Sequence, residues 1–414
     1  MVKSKDAFSW KNGVLPACGI HSQVKLDILR DYILAYFQTV AAKPFIPRIP
    51  IYFVDAFAGG GSFTSALTGA PVAGSPFVML NAVHEAEQLI AAHRTKEFCI
   101  DATFMFADSD RFAIEQLSRS VLASSYRDKY NSGKIFIDNT AFDQFLPKCL
   151  SRIPSRSTTK AIFFLDQCGW NAATIDHCNM ILNHLPKAEI IWNISVESMA
   201  SYATDDDRFR KAAETFGVNL DDAFTDKPRI SHFRDWRKLL LMDFLKQIRA
   251  NCRAEYVSPF MIQHDGWGYW LLHLSNHPQA NNVMKGMHWK HQNDSLHEGF
   301  AGLNMLEFNQ QNFNQPSLFR FDTSANEATH EALFTQLMAR IRSLGDRITV
   351  DTLTKSIANE TPADGARLNA VLADLKREGE IKIFGGNGEQ RKAGPKRGDD
   401  WLVIPSQPRL FLPM

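Results

Sequence analysis

One segment, residues 51–63 with the sequence IYFVDAFAGGGSF, constrains the fold of this chain more than any other. Ile51–Val54 is an apolar run typical of a buried β-strand, and it ends at Asp55. The turn that follows contains three consecutive glycines, Gly59, Gly60 and Gly61. Glycine has no Cβ atom and accepts positive φ, so this turn could bring the backbone close to a ligand. A helix starting near Ser62 would point its N-terminal N–H groups at the same place, so we expect a strand–turn–helix unit of an α/β domain.

Composition narrows the class of protein further. With 414 residues the chain exceeds one typical core, and a formal net charge of +1 indicates no nucleic-acid partner by itself. No apolar run approaches a membrane span, and the N-terminal residues lack the apolar core of a signal peptide. The six cysteines are scattered without a CxxC pair, which predicts neither a zinc site nor a disulfide framework. We therefore expect a cytosolic protein with no metal site and no membrane contact.

Strand-like runs recur after the glycine turn, most of them with helical patterns between. Four of them carry a polar residue at or near their end: Ala102–Ala107, Lys134–Ile137, Ala161–Leu165 and Glu189–Ile194. Such runs are typical of parallel strands buried on both faces, whose carboxyl ends collect ligands. Two later runs, Glu255–Gln263 and Tyr269–Leu274, are joined so tightly that they must be antiparallel. Five parallel strands and an antiparallel hairpin resemble the class I methyltransferase fold, a Rossmann-like α/β architecture.

The parts outside the sheet also have readable patterns. Ser22–Phe37 has the apolar spacing of a helix that precedes the sheet, and residues 280–320 resemble a long surface excursion with apolar residues that indicate packing. The C-terminal part predicts three helices and a β-hairpin: His330–Leu344, Val350–Ala358, Ala363–Glu378, Ile381–Phe384 and Trp401–Ile404. This order indicates a winged helix, so we predict a methyltransferase-like domain over residues 1–325 and a winged-helix domain over residues 326–414.

The glycine segment itself resembles a cofactor motif. It is neither GxGxxG nor a phosphate loop ending in GK[ST]. An acid followed by FxGxG resembles the first motif of S-adenosylmethionine-dependent methyltransferases, in which the glycines pass under the methionine part of the cofactor. The resemblance assigns cofactor binding to Asp55, Phe57, Gly59, Gly60 and Gly61. The alternative is an ordinary strand–turn–helix unit without a cofactor.

Further acids could complete this cofactor site. Asp108 ends the second strand, where a carboxylate can accept hydrogen bonds from ribose hydroxyls, although an insertion separates it from the glycines. Asp110 is the competing choice, and either could instead cap a helix. Asp138 fits the third-strand position that binds the adenine amino group, or is a turn residue. Lys25, one helical turn after His21, could pair with the cofactor carboxylate or belong to a solvated helix start.

The segment Asp166-Gln167-Cys168-Gly169-Trp170 follows the fourth strand. Amino-directed nucleic-acid methyltransferases carry an acid or Asn, two prolines and an aromatic residue there, which hold a flipped base. Asp166 matches the polar position and Trp170 the stacking ring, so both are candidate catalytic residues, but both prolines are replaced. Cys168 is either a nucleophile or a small buried filler.

A basic loop lies between the last two predicted strands, GGNGEQRKAGPKRGDD. Its four cations, Arg391, Lys392, Lys396 and Arg397, would sit near the tip of the wing. They could neutralise phosphates of DNA or RNA, and such binding would depend on salt. Winged helices also dock proteins, so that alternative stays open.

The segments HSQVKLDIL, YFVDAFAGGG, FADSD, FFLDQCGW, EIIWNIS and GYWLLHLSNHPQANNVMKGMHW together resemble the three-Cys-motif partner protein (TcmP) family. The similarity spans about residues 19–289. It implies a methyltransferase-like fold and a radical-SAM-like partner protein. Family members usually read Asp-Pro-Phe-Gly after the fourth strand, and this chain keeps only Asp166 and Gly169 of that pattern. A more distant likeness is to ribosomal RNA adenine-N6 methyltransferases.

Three hypotheses follow. The first is a methyltransferase that uses S-adenosylmethionine to N-methylate an amino group of nucleic acid, with Asp166 orienting the amine. The second is a non-catalytic adaptor that brings a partner enzyme to DNA or RNA. The third is a nuclease or repair enzyme with a metal held by Asp55, Asp108 and Asp166. The first requires an adenosine-sized space beside the glycine turn.

Overall fold

The computed structural model describes residues 10–12, 14–201, 203, 207–221, 224, 233–264, 267–292, 296–298, 301–303 and 318–405. The chain divides into two compact units, residues 1–280 and residues 281–414. We refer to them as the N-terminal unit and the C-terminal unit. The second unit therefore begins before residue 326, the boundary that the sequence predicts for the winged-helix domain.

The described part of the N-terminal unit contains both strands and helices, after a 3-10 helix at Trp10–Asn12. The strands are β1 (Ala17–Cys18), β2 (Arg48–Asp55), β3 (Ser62–Ser65), β4 (Pro71–Ala73), β5 (Cys99–Asp108), β6 (Ile135–Asn139), β7 (Ala161–Leu165), β8 (Ala188–Ile194), β9 (Tyr256–His264) and β10 (Trp267–Ser275). The helices are α1 (Ile20–Val40), α2 (Ser75–Ala92), α3 (Arg111–Ala123), α4 (Arg127–Asn131), α5 (Phe142–Arg152), α6 (Ile175–His184), α7 (Val196–Ser201), α8 (Asp207–Phe216) and α9 (Phe233–Asn251).

Seven of these strands form the main sheet of the unit, in the order β9-β10-β8-β7-β2-β5-β6. The pairs β7–β8, β2–β7, β2–β5 and β5–β6 are parallel, whereas β10 is antiparallel to both β8 and β9. Read from β6 to β9 and numbered along the chain, the order of these seven strands is third, second, first, fourth, fifth, seventh, sixth. The prediction of five parallel strands closed by an antiparallel hairpin is confirmed.

The central strands are buried because helices cover both faces of the sheet. Every residue of β7 and of β8 is buried, which explains their nearly continuous apolar sequences. Helix α1 buries one stripe that includes Ile28, Leu29 and Phe37. The helical spacing of apolar residues predicted this helix, and the structure extends it by a few residues at each end.

The element after the glycine turn differs from the prediction. A helix was expected near Ser62, but Ser62–Ser65 is strand β3, which pairs antiparallel with β4 and parallel with β1. The helix that returns along the sheet is α2, which begins at Ser75 after Gly74. The small sheet of β1, β3 and β4 satisfies the backbone of this insertion, so no helix N-terminus points at the glycine turn from Ser62.

From Pro278 onward the described elements are α10 (Pro278–Lys290), β11 (Leu296–Glu298), β12 (Leu318–Arg320), α11 (Thr323–Leu344), β13 (Arg347–Thr349), α12 (Val350–Ile357), α13 (Gly365–Arg377), β14 (Lys382–Phe384) and β15 (Trp401–Val403). Strands β13, β15 and β14 form a small antiparallel sheet in that order. The predicted helices and strands of this part are present, while its assignment as a winged helix stays a prediction. Met284 and Trp289 are buried, as their apolar character indicated, and residues 304–317 lie outside the described part.

Candidate functional site

Acidic side chains gather at the carboxyl edge of the main sheet. Asp55 ends β2, Asp108 ends β5, Asp138 lies near the end of β6, and Asp166 follows β7 directly. Because these neighbouring strands are parallel, their ends meet at one edge. The structure therefore brings four of the predicted site residues to the same edge of the sheet.

Of these acids, Asp55 lies in the environment that is least favourable for a charged carboxylate. Its side chain is completely buried, Oδ1 accepts the N–H of Phe57 at 3.1 Å, and Oδ2 has no hydrogen-bond partner among the described residues. Burial raises the pKa of Asp55 to about 7, although hydrogen bonding from Ser75 and Phe57 acts in the opposite direction. A buried carboxyl oxygen without a partner is costly, and a ligand donor could satisfy it.

The glycine turn is shaped by the protein's own side chains as well as by its conformation. Gly59 and Gly61 have left-handed φ angles of 56° and 76°, which favour glycine. A Cβ atom on Gly60 would lie 2.2 Å from the ring of Trp10. A Cβ atom on Gly61 would lie 2.6 Å from Leu117. Thus packing against Trp10, which covers the turn there, favours glycine at position 60, and the positive φ favours glycine at position 61.

The acids at the ends of β5 and β6 contact backbone and neighbouring side chains. Asp108 Oδ2 accepts the N–H of Gly59 at 2.9 Å, and Oδ1 accepts the N–H of Asp110. Asp110 caps helix α3, which is the alternative that the sequence left open. Asp138 Oδ1 accepts the hydroxyl of Thr140 at 2.6 Å. The predicted ribose and adenine contacts of Asp108 and Asp138 stay predictions.

A cleft of about 500 Å³ opens at this edge. Its lining residues come from the ends of four strands with their loops and from three helices: Ala56, Phe57, Asp108, Ser109, Ala141, Phe142, Asp143, Asn171, Ala172, Thr174, Asp176, His177 and Thr215. Three aromatic rings adjoin along one wall, with Phe57 and Phe142 centroids 5.3 Å apart and Phe142 and His177 centroids 4.8 Å apart. Burial lowers the pKa of His177. The volume and the apolar wall suit a nucleoside-sized ligand beside the glycine turn.

Asp166 is the centre of a second group of contacts. Its Oδ1 accepts the Nζ of Lys25 at 2.5 Å and the Nδ2 of Asn193 at 2.8 Å. Lys25 is buried, and its Nζ lies 5.5 Å from the ring centroid of Tyr269. Burial raises the pKa of Tyr269, and the charge of Asp166 adds to this shift. Lys25 thus contacts a protein carboxylate here, and its pairing with a cofactor carboxylate stays a prediction.

The loop after β7 is rigid although it lacks both prolines of the related motif. The side chain of Gln167 is buried, donates to the carbonyl of Trp170 at 3.2 Å and accepts the N–H of Ala173 at 2.7 Å. The carbonyl of Gly169, whose φ is +98°, accepts the N–H of Ser195. Two side-chain hydrogen bonds of Gln167 therefore brace this segment.

Two expectations for this loop are wrong. Trp170 is only 7% exposed and packs among Phe209, Phe216 and Phe244, so its ring belongs to the core and cannot stack on a base. Cys168 is exposed, which contradicts the expectation of a buried filler.

The predicted basic loop of the C-terminal unit is partly a structural element. The guanidinium of Arg391 donates to both oxygens of Asp400, at 3.0 and 2.6 Å, and Asp400 also accepts the backbone N–H groups of Lys396 and Arg397. The Arg391 bond is the main cause that lowers the pKa of Asp400 to about 2. Arg391 is therefore engaged inside the loop, whereas the side chains of Lys392, Lys396 and Arg397 are exposed.

The sequence analysis assigned no role to four residues that contribute to the site, namely Asn193, Tyr269, His177 and Trp10. Asn193 was visible as a polar residue inside the apolar run of β8, which is a usable signal. Tyr269 and His177 carried no special pattern, since one begins an apolar strand and the other lies in a helix. Trp10 had no signal at all, because its contact with Gly60 joins residues far apart in sequence.

No known protein family and no curated protein matches this chain by sequence. Solved structures that are similar to it include S-adenosylmethionine-dependent methyltransferases. Protein LPL1258 from Legionella pneumophila has a TM-score of 0.32 and 10% identity, covering 61% of this chain and 85% of its own. The human methyltransferase 10 domain containing protein has a TM-score of 0.26 and 10% identity, covering 60% and 83%. The METTL16 methyltransferase domain has a TM-score of 0.25 and 8% identity, covering 59% of this chain and 66% of its own.

At such TM-scores these likenesses decide nothing on their own, and the fold assignment rests on the strand order of the chain itself. Within the described residues, no helix is long and apolar enough to span a membrane. In the same part of the chain, no three His, Cys, Asp or Glu side chains converge to hold a metal ion. Asp55, Asp108 and Asp166 instead make separate contacts.

Proposed function

We propose that this protein binds S-adenosylmethionine at the carboxyl edge of its sheet and transfers the methyl group to an amino nitrogen of a nucleic acid. The observation that carries the proposal is the geometry of Asp166. One carboxylate oxygen is held by Lys25 and Asn193, while Oδ2 forms no hydrogen bond to the described residues. This fixed acceptor stands at the same sheet edge as a nucleoside-sized cleft.

The residues of the cleft fit an adenosyl cofactor. Phe57 and Phe142 offer an apolar wall for a purine ring, and Asp108 lies in the lining where a ribose would be held. Asp55 keeps one buried oxygen without a partner below the turn. When bound, the cofactor supplies an electrophilic methyl group on a positively charged sulfur. The acids of this edge favour a cation there, because opposite charges attract across short distances.

Asp166 would orient the amine rather than act as a strong base. Its Oδ2 can accept one N–H of the amino group, which directs the nitrogen lone pair toward the cleft. Lys25 and Asn193 hold the carboxylate in place, so that its position does not depend on the substrate. Gln167 fixes the following loop and thereby the direction of the Asp166 side chain.

The proposal has two more specific parts. The substrate is a nucleic acid, and the protein works with a partner protein. The winged-helix assignment is supported by the order of α11, β13, α12, α13, β14 and β15 and by the exposed cations Lys392, Lys396 and Arg397. The partner, a radical-SAM-like three-Cys-motif protein, is supported by the sequence resemblance to the TcmP family alone. The methyl-transfer assay with RNA or DNA distinguishes the two kinds of nucleic acid.

A calorimetric titration with S-adenosylhomocysteine tests cofactor binding. Ala172 is exposed and lines the cleft, so Ala172→Trp should fill the space and abolish the heat of binding. Ala92→Trp, at the exposed end of α2, is the matched control and should bind normally. Normal binding by Ala172→Trp, or no binding by the unchanged protein, would contradict the proposal.

Methyl transfer is tested with the tritium-labelled cofactor and mixed RNA or DNA. Asp166→Asn keeps the shape but changes the contact with Lys25, and we expect a loss of at least about 100-fold in incorporation, the usual scale for a lost electrostatic contact in a transition state. Binding of S-adenosylhomocysteine should stay within about twofold, which corresponds to about 0.4 kcal/mol. Equal incorporation by Asp166→Asn and the unchanged protein would remove Asp166 from the mechanism.

A non-catalytic adaptor is the second candidate, and two observations favour it. Trp10 covers Gly60, the place where the cofactor was expected to approach the backbone, and both motif prolines are replaced after β7. In this case the unchanged protein would incorporate no label, either alone or with the three-Cys-motif partner, even where S-adenosylhomocysteine binds.

A further inference from the structure

A run of basic residues without acids lies between Asp143 and Asp166. Residues 144–165 contain four cations, Lys148, Arg152, Arg156 and Lys160, and no Asp or Glu. Lys187 follows after α6. In a protein with 46 basic and 45 acidic side chains, this run is a local departure from an even balance. It is therefore a place to look for a negatively charged partner.

The fold brings these five cations, which we call the basic edge, to one end of the main sheet. Lys148 and Arg152 lie in the last turns of α5, and Arg156 is in the loop that leads to β7. Lys160 and Lys187 directly precede Ala161 and Ala188, which are partners across the parallel pair β7–β8. Strand β7 has five residues, so this edge is about 17 Å from Asp166 at a rise of 3.3 Å per residue.

The basic edge is not neutralised by the protein itself. Lys148, Arg152, Arg156 and Lys187 are exposed, Lys160 is half-buried, and none of the five forms an ion pair within the described residues. Other basic residues at this end do find partners, since Arg48 and Lys134 both bind Asp101. Burial, together with the nearby charge of Lys187, lowers the pKa of Lys160.

The basic edge is also held in one conformation. Ser155 Oγ donates to the carbonyl of His184 at 2.8 Å, and the His184 Nε2 lies 2.9 Å from the carbonyl of Ile153. Thr159 Oγ1 donates to the carbonyl of Pro154 at 2.8 Å. These bonds tie the loop before β7 to the end of α6, so binding a partner requires little additional ordering of the backbone.

We propose that the basic edge binds the phosphodiester backbone of a nucleic acid. Several cations on a fixed frame suit a repeating anion, and the exposed hydroxyls of Ser157 and Thr158 can donate to phosphate oxygens. An acid of strand β8, Glu189, follows Lys187 by two residues, but it is buried and accepts the hydroxyl of Tyr32, so it does not face the solvent with the cations. This contact gives affinity without sequence preference.

The inference deepens the proposed function and rests on it for the identity of the substrate. The carboxyl edge is acidic and repels phosphates, so a nucleic acid that presents one base to Asp166 needs its backbone held elsewhere. The basic edge offers that hold on the opposite end of the same strands. It also shifts the main phosphate contact away from the C-terminal loop, where Arg391 is bound to Asp400.

The experiment measures fluorescence anisotropy of short labelled single-stranded RNA, single-stranded DNA and duplex DNA over a series of salt concentrations. The triple variant Lys148→Gln, Arg156→Gln and Lys187→Gln removes three exposed cations. For single strands we expect the slope of log K against log salt to become shallower by about 2, which is about 100-fold in affinity at 0.1 M salt. The matched control is Lys392→Gln, Lys396→Gln and Arg397→Gln, with the same loss of charge and a smaller expected effect.

Each outcome decides the inference. Loss of binding in the first variant with an unchanged midpoint of thermal unfolding supports it, and the three probes show whether RNA or DNA is preferred. An unchanged slope, or an equal or larger loss in the control, overturns it. Titration of both variants with S-adenosylhomocysteine separates this result from the proposed function, because neither triple substitution touches the cleft.

Discussion

The two edges of the main sheet carry opposite charge. At the edge where strands begin, β2 starts at Arg48, and Lys134, Lys160 and Lys187 immediately precede β6, β7 and β8. At the edge where they end, the side chains are acidic or neutral: Asp55, Asp108, Asp138, Asp166 and Asn193. A chain with a formal net charge of +1 thus presents two distinct fields.

The two edges differ in the contacts and the exposure of their charged side chains. Acids at the carboxyl edge accept hydrogen bonds from backbone, hydroxyl, amide or ammonium groups, and one of them is completely buried. At the amino edge Arg48 and Lys134 bind Asp101, whereas the five cations of the basic edge form no ion pair within the described residues and four of them are exposed. Fixed charges at one edge suit a small ligand held in one pose, and solvated charges at the other suit a long partner.

The largest expected effect concerns the buried acid at the carboxyl edge. Because the folded protein holds the proton of Asp55 more tightly than the unfolded chain, stability falls as pH rises from about 4 to about 7. Asp55→Asn removes this cost, so its free energy of unfolding should exceed that of the unchanged protein by up to about 4 kcal/mol at pH 8. Urea titrations at pH 4 and pH 8 measure the difference, which should nearly vanish at pH 4.

Asp110→Asn is the control, since this exposed residue caps a helix equally well as Asn. A gain that is the same at both pH values would show that folding does not raise the pKa of Asp55.

The ion pair of the carboxyl edge comes next. Asp166→Ala leaves the ammonium of Lys25 buried without its partner, and we expect a loss of about 3 kcal/mol in the free energy of unfolding. Lys25→Met combined with Asp166→Ala should restore most of the loss. Denaturant titrations of the two single variants and the double variant give the coupling energy. Additive losses would mean that the two side chains do not interact.

A third prediction tests whether Trp10 is the reason for Gly60. The added methyl of Gly60→Ala would lie 2.2 Å from the Trp10 ring, so we expect a destabilisation of about 2 kcal/mol. In a Trp10→Ala background the same substitution should cost clearly less. Gly286→Ala is the control, because a Cβ atom there meets only an ordinary contact at 3.7 Å. Equal costs in both backgrounds would contradict the role of Trp10.

The smallest effect belongs to the amino edge. Lys187→Gln removes a like charge next to Lys160, so we expect it to stabilise the protein by about 0.5 kcal/mol at low salt and less at high salt. Thermal unfolding at two salt concentrations measures this change. A destabilisation would show that the two cations are already neutralised, and the contrast between the edges would then be weaker than we describe.

The strands of the sheet were predictable because their signal is local. Apolar runs such as Ala161–Leu165 are buried on both faces, and the structure reproduces that strand residue for residue. The acids that follow these runs were also predictable in place, since parallel pairing brings strand ends together whatever the details. The helix expected at Ser62 failed because pairing with β1 and β4, which lie elsewhere in the chain, decided that segment.

The roles of individual side chains were less predictable. Trp170 matched a motif position, yet three phenylalanines from distant helices enclose its ring. Arg391 matched a basic wing, yet Asp400 nine residues later binds both its donors. In each case the motif predicted the residue type, while the tertiary fold decided which neighbours contact its side chain.

The sequence alone determined the alternation of strands and helices, the acidic ends of the strands and the acid-free run before β7, because these depend on composition and short-range periodicity. Only the tertiary structure decided that Lys25 reaches Asp166, that Trp10 lies against Gly60, and that the basic residues share one edge. Those facts depend on contacts between segments far apart in the chain, which are set by how the sheet and its helices pack and not by any local pattern.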